Sequence, residues 1–414
     1  MIDIGSAARA AKATTRSLAA LPGRIKDQVL KDAASRIRAS ESELLEANAR
    51  DVQGASQGGA TSALLDRLRL DPQRIAAVAK TVESIAVLPD PIGHVESMSR
   101  RPNGLSVGRM RVPLGLVAIV YESRPNVTAE AAALCFKSGN AALLRGGKEA
   151  LHSNRVLARA FTDALTSAGL DAAAVTFVDG TDRDGVRTLA RLSGVVDLLI
   201  PRGGEGLIRF VVENATVPVI QHFKGVCHVY VDRDADLSMA EAIALNAKVQ
   251  RPGVCNAMET LLVDAEVAGT FLPPLVRAMR ERNVELRGCE RSRALVDSLS
   301  LATEEDWDTE YLDLILSIRV VDGIDGAMDH IAAHGSHHTE AIVTRHHARA
   351  QRFVREVDAS LVLVNASTRF NDGFELGLGA EMGISTTKLH AYGAMGLEEL
   401  CARKWIAMGD GHTR

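Results

Sequence analysis

The sequence has no CxxC pair, no long basic stripe, no continuous apolar segment in its first eighteen residues, and no apolar run approaching the ~18 residues that a membrane-spanning helix needs. Each absence removes a class of protein. The five cysteines, Cys135, Cys227, Cys255, Cys289 and Cys401, are odd in number and widely spaced. That argues against a disulfide framework and against a zinc ribbon, and leaves each as a reduced thiol whose default role is that of a small buried hydrophobe. A formal net charge of −4 with no basic stripe makes nucleic acid an unexpected partner. The start, "MIDIGSAARAAKATTRSL", lacks the continuous apolar segment of a signal peptide, so the cytoplasm is the expected compartment and a membrane is not an expected partner.

What remains is an ordinary globular composition, with 46% hydrophobic and 24% charged residues in 414. The length exceeds one ordinary core and implies two domains with a small appendage. Residues 5–90 read as helices: Ile25, Val29, Ala33 and Ile37 recur four apart on one stripe, and Asp71-Pro72 opens a further helix. "SRRPNGLSVG" contains Asn103-Gly104, the signal of a two-residue hairpin, with exposed charge and little apolar area. From Leu116 short apolar runs alternate with helices that end at Gly139 and Gly169. "LVAIVY", "AALLR", "AVTFVDG", "VVDLLIPRG", "VPVIQH" and "VCHVYVD" read as strands. The alternation resumes after Cys255 through "METLLVD", "LDLILSIRVV", "EAIVT" and "ASLVLVN". Such alternation predicts two α/β units built on parallel βαβ connections.

Three loops carry chemistry. "PRGGEG" (201–206) follows a strand and opens a helix, so its free N–H groups suit a phosphate. It is not a strict GxGxxG, no acid follows where a ribose would be read, and a plain glycine turn is the alternative. "LLRGGKEA" ends another strand with Arg145, Gly146, Gly147 and Lys148. Two cations there suit a dianionic 2′-phosphate, hence NADP rather than NAD, and solvated charges at a helix start are the alternative. In "YESRPNVTAEAAAL" Asn126 reads either as a helix cap or as an amide donating to a developing oxyanion. The histidines of "AHGSHHTEAIVTRHH" (His334, His337, His338, His346, His347) join no Cys and no HExxH pattern. They read as a polar loop, with no metal site expected.

Taken together, these segments resemble the aldehyde dehydrogenase superfamily, and within it the branch that reduces γ-glutamyl phosphate. The resemblance spans essentially the whole chain. Its blocks are "VPLGLVAIVYESRPNVTAEAAALCFKSGNAALLRGGKEA", "LIPRGGEGLI", "VIQHFKGVCHVYVD", "QRPGVCNAMETLLV" and "NASTRFNDGFELGLGAEMGISTTKLHAYGAMGLEEL". It implies an α/β fold of that superfamily's kind. Residues 1–93 and 113–232 would be a Rossmann-type NADP-binding domain, and 233–365 an α/β catalytic domain carrying Cys255. Residues 94–112 and 400–414 would be a small β oligomerisation arm, completing a homodimer or homotetramer, and 366–399 an active-site loop and return segment.

The resemblance also implies roles. Cys255 stands where the superfamily has its nucleophile, and Asn126 where the oxyanion amide lies. Arg145, Gly147 and Lys148 fall on the adenosine-ribose loop, Gly203 and Gly204 on the pyrophosphate side, and Glu310 near the nicotinamide ribose. Where hydrolytic relatives carry a general-base Glu, the segment "HFKGV" has His222, which fits an enzyme whose thioester must survive until hydride arrives. The implied reaction is NADPH-dependent reduction of L-glutamyl 5-phosphate to L-glutamate 5-semialdehyde with release of phosphate, a step of L-proline biosynthesis. Glutamate 5-kinase is then an expected functional partner. Arg124 and Arg369 are the expected ligands of the substrate's anionic groups, and Asp372 and Glu375 of its amine; surface ion pairs are the alternative for all four. An acyl-CoA-dependent relative, a thiol hydrolase and a non-catalytic protein of the same fold are the competing readings.

Overall fold

The computed structural model describes residues 3–180 and 182–414. The chain divides into two compact units. One runs to Gln221 and also takes Gly377–Gly383 and Met395–Arg414; the other comprises His222–Leu376 and Ile384–Ala394.

The first unit opens with five helices: α1 (Ile4–Ala19), α2 (Gly23–Ala39), α3 (Glu41–Gln57), α4 (Ser62–Leu68) and α5 (Pro72–Ala86). The Asp71-Pro72 start behaves as expected. Asp71 caps the N–H of Arg74 at 2.7 Å, and proline takes the first helical position, where no N–H is needed. Val29, Ala33 and Ile37 of the α2 stripe are fully buried or nearly so.

Strands β1 (Val95–Arg100) and β2 (Ser106–Pro113) then form an antiparallel hairpin. Its loop holds three residues rather than the expected two. Arg101 pairs with Leu105, the Gly104 N–H closes a turn onto the Arg101 carbonyl, and Gly104 takes φ +95°. Proline ahead of Asn-Gly shifts the glycine to the third loop position, where positive φ is required.

The Rossmann-like core follows: β3 (Leu116–Tyr121), α6 (Asn126–Lys137), β4 (Ala141–Gly146), α7 (Leu151–Ser167), β5 (Val175–Phe177), α8 (Arg183–Ala190), β6 (Leu198–Arg202) and α9 (Glu205–Asn214). The four strands pair in parallel in the order β5-β4-β3-β6. All six residues of β3 and of β4 are buried, as a parallel sheet covered on both faces demands. Gly139 and Gly169 end α6 and α7 with φ +75° and +72°, the left-handed conformation of a helix C-terminus. The expected strand "VPVIQH" amounts to a single bridge from Val219 to Leu199, since Pro218 removes a ladder donor within the run.

In the second unit β7 (Cys227–Val231), α10 (Leu237–Val249), β8 (Met258–Asp264), α11 (Ala265–Arg280), β9 (Glu285–Gly288), α12 (Glu290–Leu295), β10 (Ser300–Leu301), α13 (Glu304–Trp307), β11 (Ile315–Val321), α14 (Gly323–His334), β12 (Thr339–Val343), α15 (His347–Glu356) and β13 (Leu361–Val364) build a seven-stranded parallel sheet. Its order is β10-β9-β11-β8-β7-β12-β13. The boundary expected at 232 therefore moves. Strand β7, assigned by sequence to the nucleotide unit, pairs with β8 and β12, and the second unit begins at His222. Both a strand of the first unit and this one are short apolar runs, and pattern alone does not say which sheet a run joins. Two short strands, β14 (Gly383–Ser385) and β15 (Gly393–Met395), pair with each other. Strand β16 (Cys401–Met408) returns antiparallel to β2, so the hairpin and the tail form one three-stranded sheet.

Among the described residues, no helix is long and apolar enough to cross a membrane.

Candidate active site

Cys255 lies in the turn between α10 and β8, half-buried, with the Ala257 N–H closing onto the Val254 carbonyl at 3.0 Å. Three neighbours fix this turn. The Cys227 thiol, buried at the start of β7, donates to the Cys255 carbonyl at 3.1 Å. Burial, reinforced by Glu340 and by Cys255 itself, pushes the Cys227 thiol well above its ordinary pKa, so it stays protonated and remains a donor. Asn256 donates from its buried amide to the Asn371 carbonyl at 2.8 Å, and Asn371 in turn donates to Thr339 Oγ1 at 2.7 Å. Gly225 passes so close that a Cβ would run into the Cys255 carbonyl and stand 2.8 Å from its carbon, which makes glycine obligatory there. Two cysteines 28 residues apart thus take opposite parts, one sealed and structural, the other presented.

The loop carrying Arg369 packs beside this turn. Arg369 Nε donates to Gln250 Oε1 at 2.8 Å. Burial lowers the guanidinium pKa most, Arg251 lowers it further, and Asp372, Cys255 and Cys227 raise it. Arg369 therefore lies within electrostatic reach of the Cys255 sulfur, and a cation there favours the thiolate. Asp372 accepts the Phe374 N–H at 2.9 Å, and Glu375 is exposed. Glu310 is half-buried ahead of β11 and adds to the burial that pushes the Glu259 carboxyl up to about 7 against the pull of Lys248. Lys248 and Glu259, both fully buried, pair at 2.5 Å and tie α10 to β8 on either side of the Cys255 turn.

Two imidazoles also reach the thiol. His222, His338 and Cys255 place one ligand atom each within 4.8 Å of one another. Burial pulls His338 down to about pH 3, so it is a neutral ring. Sequence reading placed His338 in a polar loop. It is fully buried at the entrance to β12. No local signal marks it, because its neighbours come from segments 83 and 116 residues away.

In the first unit Asn126 is the first residue of α6, not its cap. Pro125 holds the cap position, and the Asn126 amide donates to Glu130 Oε1 at 3.0 Å. The capping role is therefore not realised, and one amide N–H is left for another acceptor. Arg124 is exposed and lies within electrostatic reach of Glu130.

The glycine loops of the first unit differ in the space they leave and in the acids that line them. Gly204 caps α9, and a Cβ at Gly204 or Gly206 would meet nothing within 4 Å. The Gly204 N–H is held by Glu122 Oε2 at 3.0 Å, and a Cβ at Gly203 would collide with that carboxylate. Glu149 likewise accepts the Ser123 N–H at 2.6 Å and would be struck by a Cβ at Gly147. Sequence reading passed over both acids because neither belongs to a fingerprint. Arg145 corrects an expectation. It is 5% exposed and donates to the Asp182 carbonyl, with burial lowering its pKa, so its charge orders the start of α8 rather than facing solvent. It lies inside the all-buried strand β4, where a side chain follows the sheet rather than the loop. Lys148 is the exposed cation of the pair.

Comparisons with known proteins identify what the whole chain is similar to. The model of the Aldehyde dehydrogenase family matches residues 2–290. The chain is 56% identical over 422 residues to a gamma-glutamyl phosphate reductase of Sorangium cellulosum, covering 100% of this chain and 99% of that one. It is 53% identical over 407 residues to the protein of that name from Desulfatibacillum aliphaticivorans, covering 98% and 97%. The crystal structure of gamma-glutamyl phosphate reductase from Thermotoga maritima superposes with a TM-score of 0.97 at 45% identity, covering 99% of both chains.

Proposed function

The chain belongs to the aldehyde dehydrogenase family, within it to the gamma-glutamyl phosphate reductases, and from this premise we propose that it reduces L-glutamyl 5-phosphate to L-glutamate 5-semialdehyde through a thioester on Cys255. The observation that carries the reading is the Cys255 turn, a thiol presented on a rigidly bonded loop with the Arg369 guanidinium in reach.

The residues then take these roles. The Cys255 thiolate attacks the acyl carbon, and the Asn126 amide donates to the oxygen that gathers charge. Phosphate leaves with the electrons of the C–O bond, and the thioester remains. Arg369 stabilises the thiolate, and with Arg124 it draws the substrate's carboxylate and phosphate, which a guanidinium binds bidentately. Asp372 and Glu375 meet the amine. Lys148 meets the 2′-phosphate that distinguishes NADP from NAD, Arg145 and Gly147 hold its loop in shape, Gly203 and Gly204 admit the pyrophosphate, and Glu310 takes the nicotinamide ribose. When bound, NADPH supplies the hydride. After hydride arrival the Cys255 sulfur leaves and the aldehyde is released. His222, where hydrolytic relatives carry a glutamate, keeps a carboxylate base away from the thioester. The same reading places the protein in the cytoplasm, in functional coupling with glutamate 5-kinase. It also makes the sheet of β1, β2 and β16 an oligomerisation arm, whose edges a second chain would cover.

Running the reaction backwards tests the proposal. With glutamate semialdehyde and NADP supplied, reduced nicotinamide should appear in near-ultraviolet absorbance only when inorganic phosphate is present. Steady turnover without phosphate would overturn it in favour of a hydrolase.

A further inference from the structure

The trio at the thiol offers more than the reaction uses. His222, Cys255 and His338 each contribute one soft or borderline donor atom, and the three atoms lie within 4.8 Å of one another. The two rings meet edge to face with centroids 5.6 Å apart. Donors around a tetrahedral zinc lie roughly 3.3–3.8 Å apart, given Zn–N of about 2.0 Å and Zn–S of about 2.3 Å. A side-chain adjustment of about 1 Å therefore closes the set around one ion.

A second observation points to a ligand. His338 is fully buried; its Nδ1 bonds Thr339 Oγ1 at 2.7 Å, while its Nε2 has no partner. A buried polar atom without a partner is costly in a folded protein and asks for an explanation. The bonded Nδ1 also fixes the ring, the usual support for a metal-ligating imidazole whose other nitrogen faces the ion.

We propose that His222, Cys255 and His338 form an inhibitory site for a soft divalent cation of the zinc class, with the fourth position open to water. One thiolate and two imidazoles suit zinc, cobalt or copper far better than magnesium or calcium. Binding joins the Cys255 sulfur to the metal and releases the thiol proton to solvent. No electron is transferred and no co-reactant is needed. That the bound ion inhibits rests on the reading of Cys255 as nucleophile; that it binds does not.

The test uses the whole, dialysed protein without substrate or nicotinamide, and Co2+ as the probe. One equivalent should bind with visible ligand-field bands and a near-ultraviolet thiolate-to-cobalt band. Cys255→Ala should abolish that band, and His338→Ala should weaken binding at least tenfold. In the unsubstituted protein, where misfolding of a variant is no concern, Zn2+ should displace the cobalt. It should slow iodoacetamide alkylation of Cys255 at least tenfold, with EDTA restoring the rate. A missing near-ultraviolet band, a band that survives Cys255→Ala, or alkylation indifferent to Zn2+ would each overturn the site. Cobalt binding in a protein that lacks phosphate-dependent turnover would sustain the site and sink the reductase reading. Turnover without the band would do the reverse.

Discussion

The Cys255 turn and the glycine loops of the nucleotide unit hold their polar groups in opposite ways. Around Cys255 the turn is held by neutral donors, the Cys227 thiol on the Cys255 carbonyl and the Asn256 amide on the Asn371 carbonyl, and the charge brought near the sulfur is the Arg369 cation. In the nucleotide unit carboxylates take the loop N–H groups, Glu122 that of Gly204 in one glycine loop and Glu149, from the other, that of Ser123 after β3. A nucleophile gains from a fixed position and a nearby cation in advance of its substrate. A phosphate seat held by a carboxylate must exchange one anion for another, so part of the affinity for a phosphate is offset by the bond given up. On the proposed reading, the Cys255 turn is set before its substrate comes, while the loops proposed for the cofactor give up a carboxylate bond to take it.

Substitutions on each side sharpen this contrast. Cys255→Ala should lower reductase turnover by a factor on the order of 10⁴ while leaving NADPH affinity, measured by fluorescence titration, as in the parent protein. A large loss of affinity would show that the two functions are not separable. Gly225→Ala places a methyl against the Cys255 carbonyl and should cost about 10²-fold in kcat, the scale of an ångström of misplacement, with a lowered Tm. Unchanged kcat would show that the turn is softer than its bonding indicates.

Lys148→Asp should raise KM for NADPH about tenfold or more and leave NADH nearly unaffected, since only the 2′-phosphate loses a partner. An equal change in both would move Lys148 off that phosphate. Arg369→Gln should act more mildly. Removing a cation disfavours the thiolate, so the thiol pKa rises, and the pH midpoint of Cys255 alkylation by iodoacetamide should move up by about one unit. A midpoint that stays or falls would reassign the activating charge.

Much of this was legible in the sequence, for physical reasons that also mark its limits. Gly139 and Gly169 announced the ends of α6 and α7 because a left-handed helix terminus needs glycine. The strand-helix alternation announced parallel sheets, because buried strands read as short apolar runs. The Cys255 turn was visible as Gly253-Val254 between a helix and the β8 run. The position of β7 in the second sheet was not legible, since strand pairing is long-range. Nor were Cys227 and His338, whose parts depend on segments brought to Cys255 by the seven-stranded sheet. Arg145 was read as a strand-end cation facing a ligand; β4 runs one residue further, to Gly146, and is buried throughout, so the guanidinium turns to the Asp182 carbonyl instead.

The central claim is that an acyl group rests on Cys255 between two chemical steps, and intact-protein mass spectrometry reads it directly. Incubated with glutamate 5-semialdehyde and NADP but no phosphate, the protein should gain the mass of one γ-glutamyl group on the peptide containing Cys255, and added phosphate should discharge it. An unmodified Cys255, or an adduct on another residue that phosphate does not remove, would contradict the account.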